Sequence, residues 1–429
     1  MQDRLPRGFS WLISAQFISA LADHALLIVA IAHLQFLNAP EWWAPLLKFA
    51  FTLAYVFLAP FIGNLADRVC KRRLMAWMNA LKWVGAAAML AGAPPMLAFA
   101  LVGMGASAYA PAKYGLITES VPPSRLVSAN GWIECAVVMS VLLGTGLGGA
   151  LVSSIWLQSD LVSFVATLWP LTLGASSASL NVSLVVILML YVVAGFLNLG
   201  IVPSGAVYPR RPLSVWHMTS DFWKANRTLW RDRSGGLSLL LTTVFWGVGA
   251  LLQFAVLHWS VQFLGLTLDK AAFMQGIVAL GVVVGAVWVA TRLRLKHATS
   301  VLPVGILMGS VLLMSLWIPT WQLAVPSLLI LGALGGILVV PMNALLQHRG
   351  HRLLTAGQSI AVQGFNENLS VLITMGVYSA LIAADTPVRA VMAFVGLALA
   401  GTIAYILMRR MPQRQGFKPL MRHIRHGGG

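Results

Sequence analysis

Apolar residues run along this chain in long blocks separated by short polar or Pro/Gly-rich breaks. A block of about 20 residues is long enough to cross the hydrocarbon core of a bilayer as a helix. The pattern predicts spans at 9–37, 46–65, 74–93, 96–119, 130–152 and 184–202, then at 236–259, 271–290, 301–317, 323–346, 356–383 and 389–408. The longest polar stretch, 203–235, separates the two sets. The fold class expected is therefore an all-α membrane protein of 12 transmembrane helices.

The breaks carry their own information. Residues 38–45 (NAPEWWAP) form a short loop whose two Trp suit a membrane interface, and Pro94-Pro95 turns the chain on the same side. The apolar run from residue 9 continues past an Ala20-Leu21-Ala22 cleavage-like site, so one uncut span is expected. Residues 153–183 are apolar but broken by Pro170, Gly174 and a run of Ser. They read as an outer loop or re-entrant segment, because another span would invert everything downstream. In 203–235, Trp216, Phe222, Trp223 and Trp230 are mixed with basic residues, which suggests an amphipathic helix on the inner leaflet.

Composition agrees with a membrane chain: 59% of the 429 residues are hydrophobic and 10% charged, where soluble domains carry about a quarter. A net charge of +17 raises nucleic-acid binding, but the basic residues cap apolar spans instead of clustering with stacking aromatics, so no nucleic acid is expected. By this topology 24 of the 29 Lys and Arg fall on the side that holds both termini, and three near the other. That bias predicts that both termini are cytoplasmic. Cys70 lies in a loop and Cys135 near a helix end, and no structural disulfide is expected.

The segment Gly63–Arg73 (GNLADRVCKRR) is the most informative of the breaks. It reads as a tight basic turn, and it resembles the G-x-L-x-D-R-x-x-x-R-R loop of the major facilitator superfamily. The resemblance implies that Gly63, Asp67, Arg68 and Arg72 form a cytoplasmic latch in which the glycine permits close packing and the acid pairs with basic groups. A weak internal repeat points the same way. Arg125–Ala129 (RLVSA) recurs as Arg352–Ala356 (RLLTA), and the same offset lays the basic loop onto Arg292, Arg294 and Lys296. Pro111-Ala112-Lys113 resembles Pro341-Met342-Asn343. Two six-helix halves follow: 1–202 and 236–408, joined by a cytoplasmic linker at 203–235 and followed by a basic tail at 409–429.

Ionisable groups inside a membrane are costly and are functional candidates. Here they are Asp23, Lys82, Lys113, Glu119, Glu134 and Glu367, with Gln363, Asn366 and Asn368 clustered beside the last. Such groups can also serve only to hold a bundle together by pairing. Glu119 and Lys82, near helix ends or interfaces, suit that use as well as any other. Asp23, Lys113 and Glu367 lie at mid-helix, where a lone charge is hard to justify by packing.

These residues carry a closer resemblance. Ala22–Leu27 (ADHALL), Tyr109–Gly115 (YAPAKYG) closing at Glu119, Leu126–Glu134 with Ala129-Asn130-Gly131, and Ala361–Asn368 (AVQGFNEN) are similar, in order, to motifs of the bacterial lysophospholipid transporters. His24 and Gly364 stand where that family has Asn. The resemblance implies transport of lysophospholipids, chiefly lysophosphatidylethanolamine, from the outer to the inner leaflet of the bacterial inner membrane. A cytoplasmic acyltransferase would then restore the missing chain. It implies a substrate site of Asp23, Lys113, Glu134, Gln363, Asn366 and Glu367, with Asp23 and Glu367 for an ammonium and Lys113 for a phosphate. A monomer needing no cofactor is expected.

Other classes fit less well. A proton-coupled drug or solute exporter on the same fold is the alternative, since an intramembrane Asp in the first span suits proton coupling. An enzyme is not expected: the chain has no G-x-S-x-G, no H-E-x-x-H metal site and no phosphate-binding P-loop. A scaffold would not need so many polar groups within the membrane.

Overall fold

In lipid every backbone N–H and C=O must be satisfied within the protein, so long apolar blocks become helices. The computed structural model describes residue 6 and residues 8–40, 43–168, 178–208 and 214–410. Its helices are α1 (Phe9–Phe36), α2 (Trp43–Arg68), α3 (Lys71–Leu90), α4 (Pro95–Ser120), α5 (Leu126–Val152), α6 (Ser154–Leu157), α7 (Asp160–Leu168) and α8 (Ala178–Leu199). After α9 (Val215–Arg231) come α10 (Arg233–Leu264), α11 (Leu268–Arg292), α12 (Leu302–Ser315), α13 (Trp321–Leu353), α14 (Ala356–Ala383) and α15 (Val388–Arg410). Among the described residues, ten helices are long and apolar enough to cross a membrane, which makes this a multi-pass membrane protein. The other two long helices, α3 and α14, have 20 and 28 residues. Basic residues dilute the hydropathy of α3, and the Gln363–Asn368 cluster dilutes that of α14.

Local chemistry sets the boundaries. Gly92, at φ 90°, ends α3 in a left-handed turn, and Pro95 opens α4 where its missing N–H costs nothing. The expected tight turn at 63–73 is not one: Gly63 to Arg68 finish α2, Lys71 to Arg73 begin α3, and only Val69 and Cys70 lie between. The break is short because the segment has no Pro and no left-handed glycine to halt α2 earlier. Within 153–183, α6 and α7 are two short helices, neither long enough to span, and α8 starts at Ala178 instead of 184. The Pro170 and Gly174 breaks fall outside the described residues, as does the basic tail beyond Arg410. The amphipathic helix expected in the linker is present as α9. It buries Met218, Phe222, Ala225 and Leu229 and turns Trp216, Trp223, Arg227 and Arg231 outward. Both cysteines are free thiols.

The apolar core is divided. One cluster lies within α1–α8 and packs Leu26, Met89, Phe99 and Tyr191. Another lies within α10–α15 around Trp259, Leu312, Leu328 and Met392. A third joins the two sets, bringing Leu116, Val127 and Ile133 against Ala286, Val289, Val339 and Val340. These residues come from the ends of α4, α5, α11 and α13 nearer Arg125, Arg292 and Arg352. We call this the basic end.

Candidate functional site

Three groups of buried polar side chains lie in the bundle. The first is closed on itself. Ser19 and Asp23 share one face of α1, and Asn79 and Lys82 share one face of α3. Lys82 Nζ lies 2.6 Å from Asp23 Oδ2 and donates to Ser19 Oγ at 3.1 Å. Ser19 donates to Asn79 Oδ1 (3.0 Å), and Asn79 Nδ2 donates to the Tyr191 carbonyl (2.7 Å). Tyr191 on α8 donates its hydroxyl to Asp23 Oδ1 at 2.8 Å. Both oxygens of Asp23 are thus occupied, and Lys82 also lies 5.1 Å from the centroid of the Tyr109 ring. Asp23, expected as a lone acid, is half of a buried ion pair, with Asp23 9% and Lys82 3% exposed. Its partner is 59 residues away on a different helix, so spacing could not reveal it.

The second group is open. Lys113 on α4 is 5% exposed and its ammonium lies 4.2 Å from the centroid of the Tyr114 ring. Glu134 on α5 is 3% exposed. Each is the other's strongest charged neighbour. Among the described residues, however, neither has an ion-pair partner within 4.0 Å. A buried charge without a partner is expensive, and such groups mark ligand sites more often than structural ones.

The third group is on α13 and α14. Gln363 and Glu367, one turn apart, share a face. Gln363 Nε2 donates to Glu367 Oε1 (2.8 Å) and to Asn343 Oδ1 on α13 (2.9 Å), while its own Oε1 is buried without a partner among the described residues. Tyr114 joins this group to the second, since the charges of Glu134 and Glu367 both reach it. Helix α4 packs against α14, and Glu134 and Glu367 are also charged neighbours of each other, so Lys113, Glu134, Gln363 and Glu367 lie near the contact of the two helix sets. Asn366 does not join them. It faces α9, where its Nδ2 donates to Asn226 Oδ1 (2.9 Å) and its Oδ1 accepts from Trp230 Nε1 (3.1 Å). Tyr114, Tyr191 and Asn343 complete these networks. An aromatic or amide on a mostly apolar helix carries no charge signal by which the sequence alone would select it.

The basic end is a seam between the two helix sets. Asp67 accepts a hydrogen bond from the Thr355 hydroxyl and another from the Gly357 N–H at 2.9 Å, at the start of α14. Among the described residues no Lys or Arg lies within 4.0 Å of Asp67. Its partner is thus a helix N-terminus, whose free N–H groups suit an anion. Arg68 is exposed and Arg72 half-buried beside it. Gly63 and Gly357 allow this approach: a Cβ on Gly357 would fall 2.6 Å from the Gly63 carbonyl oxygen. Asn130 and Gln347 exchange amide hydrogen bonds of 2.8 and 2.7 Å, and a Cβ on Gly131 would fall 2.5 Å from Ala290 Cβ. Within the first set, Lys71 and Glu119 pair at 2.5 Å, and Glu119 also accepts from Ser204 (2.5 Å) and Tyr208 (2.7 Å). Glu119 is thus paired within the first set.

The Major Facilitator Superfamily matches residues 12–375. The lysophospholipid transporter LplT of Escherichia coli O9:H4 is 36% identical over 408 residues, covering 94% of this chain and 96% of its own. LplT of Pectobacterium carotovorum is 37% identical over 380 residues, 88% of this chain and 87% of its own. Among solved structures, a single-residue variant of the fucose:proton symporter FucP of E. coli superposes with a TM-score of 0.71 at 16% identity, covering 94% of this chain and 98% of its own. A bacterial homologue of the iron transporter ferroportin, in an outward-facing state, gives 0.68 at 16% identity, covering 94% and 99%. The fold, the ordered polar motifs and the identity along nearly the whole chain lead to one conclusion: this chain belongs to the major facilitator superfamily and, within it, to the family of LplT lysophospholipid transporters.

Proposed function

We propose that this protein carries lysophospholipids, chiefly lysophosphatidylethanolamine, from the outer to the inner leaflet of the bacterial inner membrane. The observation that carries the reading is Lys113. It is a buried ammonium with no carboxylate within 4.0 Å among the described residues, in a region shared with Glu134 and Glu367. A lysolipid head carries a phosphate and, in the ethanolamine form, an ammonium. Lys113 suits the first, and Glu134 or Glu367 the second. Gln363 Oε1 is a further free acceptor for the ammonium N–H groups. Asp23 acts through Lys82, and substrate reaches it only where that pair opens.

The single acyl chain needs an apolar path, which the helix walls provide. Rigid-body rocking of two halves, 1–202 and 236–408, about the fixed site would expose it to each leaflet in turn. Both termini, the linker 203–235 and the tail 409–429 face the cytoplasm in this reading, and the Asp67–Thr355–Gly357 contact latches that side. The protein works as a monomer, is not an enzyme, and hands its product to a cytoplasmic acyltransferase.

The deciding measurement is flipping of labelled lysophosphatidylethanolamine by purified protein in liposomes, with and without a proton gradient, for the natural chain, Lys113→Met and Glu367→Gln. Gradient-independent flipping lost in both variants is expected. Flipping that stops when the gradient collapses would favour the proton-coupled exporter. Undiminished flipping in both variants would remove the site.

A further inference from the structure

The outward surface of α9 has a pattern that transport does not use. On a helix of 3.6 residues per turn, Trp216, Trp223 and Trp230 recur every seven residues and form one longitudinal stripe. They are 80%, 52% and 37% exposed. Lys224, Arg227 and Arg231, all exposed, form the next strip around the helix. The opposite face, Met218, Phe222, Ala225 and Leu229, is buried against α2, α10, α13 and α14. The one acid on the helix, Asp221, lies 3.8 Å from Lys224, and the exposed strip keeps a net positive charge. Asp232 alone separates α9 from α10, and its bonds to Arg349 (2.6 and 3.1 Å) hold that end of α9 against the membrane-spanning bundle.

We propose that this face of α9 is a binding site for anionic phospholipid headgroups. Three exposed indoles in a line are poorly suited to water. They suit the boundary between acyl chains and headgroups, where the ring is buried and the edge stays wet. The adjoining basic strip then meets the phosphates and selects anionic over zwitterionic lipid. The site is wired to the bundle. Phe222 and Trp223 pack edge-on to Phe365 at 5.2 and 5.5 Å, and Asn226 and Trp230 hold Asn366, the neighbour of Glu367. Headgroup occupancy of α9 therefore bears on the position of the polar segment of α14.

The test uses the full chain in nanodiscs of phosphatidylcholine with and without phosphatidylglycerol. Hydrogen–deuterium exchange is followed in peptides covering 215–231, and retained phosphatidylglycerol is counted by native mass spectrometry. Phosphatidylglycerol is expected to slow exchange in α9 severalfold. Lys224→Gln/Arg227→Gln/Arg231→Gln is expected to abolish the slowing and lower retention while leaving the melting temperature unchanged. Equal exchange with and without the anionic lipid, or equal retention by the variant, would overturn the proposal. Slowing by soluble polyglutamate but not by phosphatidylglycerol would overturn it in favour of an acidic protein partner.

Discussion

At the scale of single residues, two buried lysines on adjacent helices have opposite energetics. Lys82 has its charge matched by Asp23 at 2.6 Å. Removing one member of a buried pair leaves the other uncompensated and costs about 3–5 kcal/mol. Lys82→Met is therefore expected to lower the melting temperature of the detergent-purified protein sharply, and Asp23→Asn/Lys82→Met to recover most of it. Additive loss in the double variant would show that the two groups are not coupled. Lys113 has no such partner among the described residues. Lys113→Met should thus abolish lysolipid flipping while the melting temperature holds or rises, as when a functional site is relieved of a costly charge. A fall like that of Lys82→Met would place Lys113 in the structural class. Helical spacing singles out both lysines as intramembrane charges. Position along the helix also sets Lys82, near a helix end or interface, apart from Lys113 at mid-helix, but it does not give the partner of Lys82, which stands on another helix.

At the scale of elements, helix ends carry the identifiable energies. Asp232 caps α10 by accepting from the N–H groups of Ser234 (3.2 Å) and Gly235 (2.7 Å), and it binds Arg349 as well. The Arg349 hydrogen bond holds its carboxyl below the usual carboxylate range. A depressed folded-state pKa contributes stability that is present above the unfolded pKa of about 3.9 and is lost as pH falls through the folded value. Asp232→Ala is expected to cost roughly 0.5–2 kcal/mol at neutral pH. The gap between its melting temperature and that of the natural chain should close on acidification below about pH 4. A gap that stays constant with pH would mean that the charge of Asp232 contributes nothing. Asp232 and Thr355 stand immediately before α10 and α14, and both accept hydrogen bonds from backbone N–H groups of the first turn, as N-cap residues do. The 63–73 segment misleads because its charge pattern resembles a loop, whereas a short basic stretch can be helical up to the turn itself.

At the scale of the whole molecule, the hydrogen bonds described between α1–α8 and α10–α15 lie toward the basic end: Asp67 with Thr355 and Gly357, Asn64 with Gln358, Asn130 with Gln347, and Cys135 with Val283. The apolar cluster that joins the two helix sets lies at the same end. The structure is thus a carrier closed at its basic end. Gly357→Val would push a side chain into the Gly63 carbonyl and the Asp67 carboxylate, 2.6 and 2.7 Å from its Cβ. Backbone cannot yield there without parting α2 from α14. Spin labels at Arg73 and Arg294, in a background without Cys70 and Cys135, are expected to report a longer distance in Gly357→Val than in the natural chain. An unchanged distance would show that another contact keeps the basic end shut.

The hydropathy pattern alone determined the class of fold, the approximate place of each long helix and the accumulation of basic residues at one end. The reason is that burial in lipid is decided residue by residue along a single helix, so a local count suffices. The ordered polar motifs marked which helices carry charge. Only the tertiary structure decided which charges neutralise one another. Asp23 and Lys82 lie 59 residues apart, Asn130 and Gln347 217, and Asp67 and Thr355 288. A helical period gives the face on which a residue lies but not the helix that face will meet. In a low-dielectric interior that meeting decides the outcome: it set Asp23 against Lys82, left Lys113 with no carboxylate within ion-pair distance among the described residues, and turned Asn366 away from Glu367 toward α9.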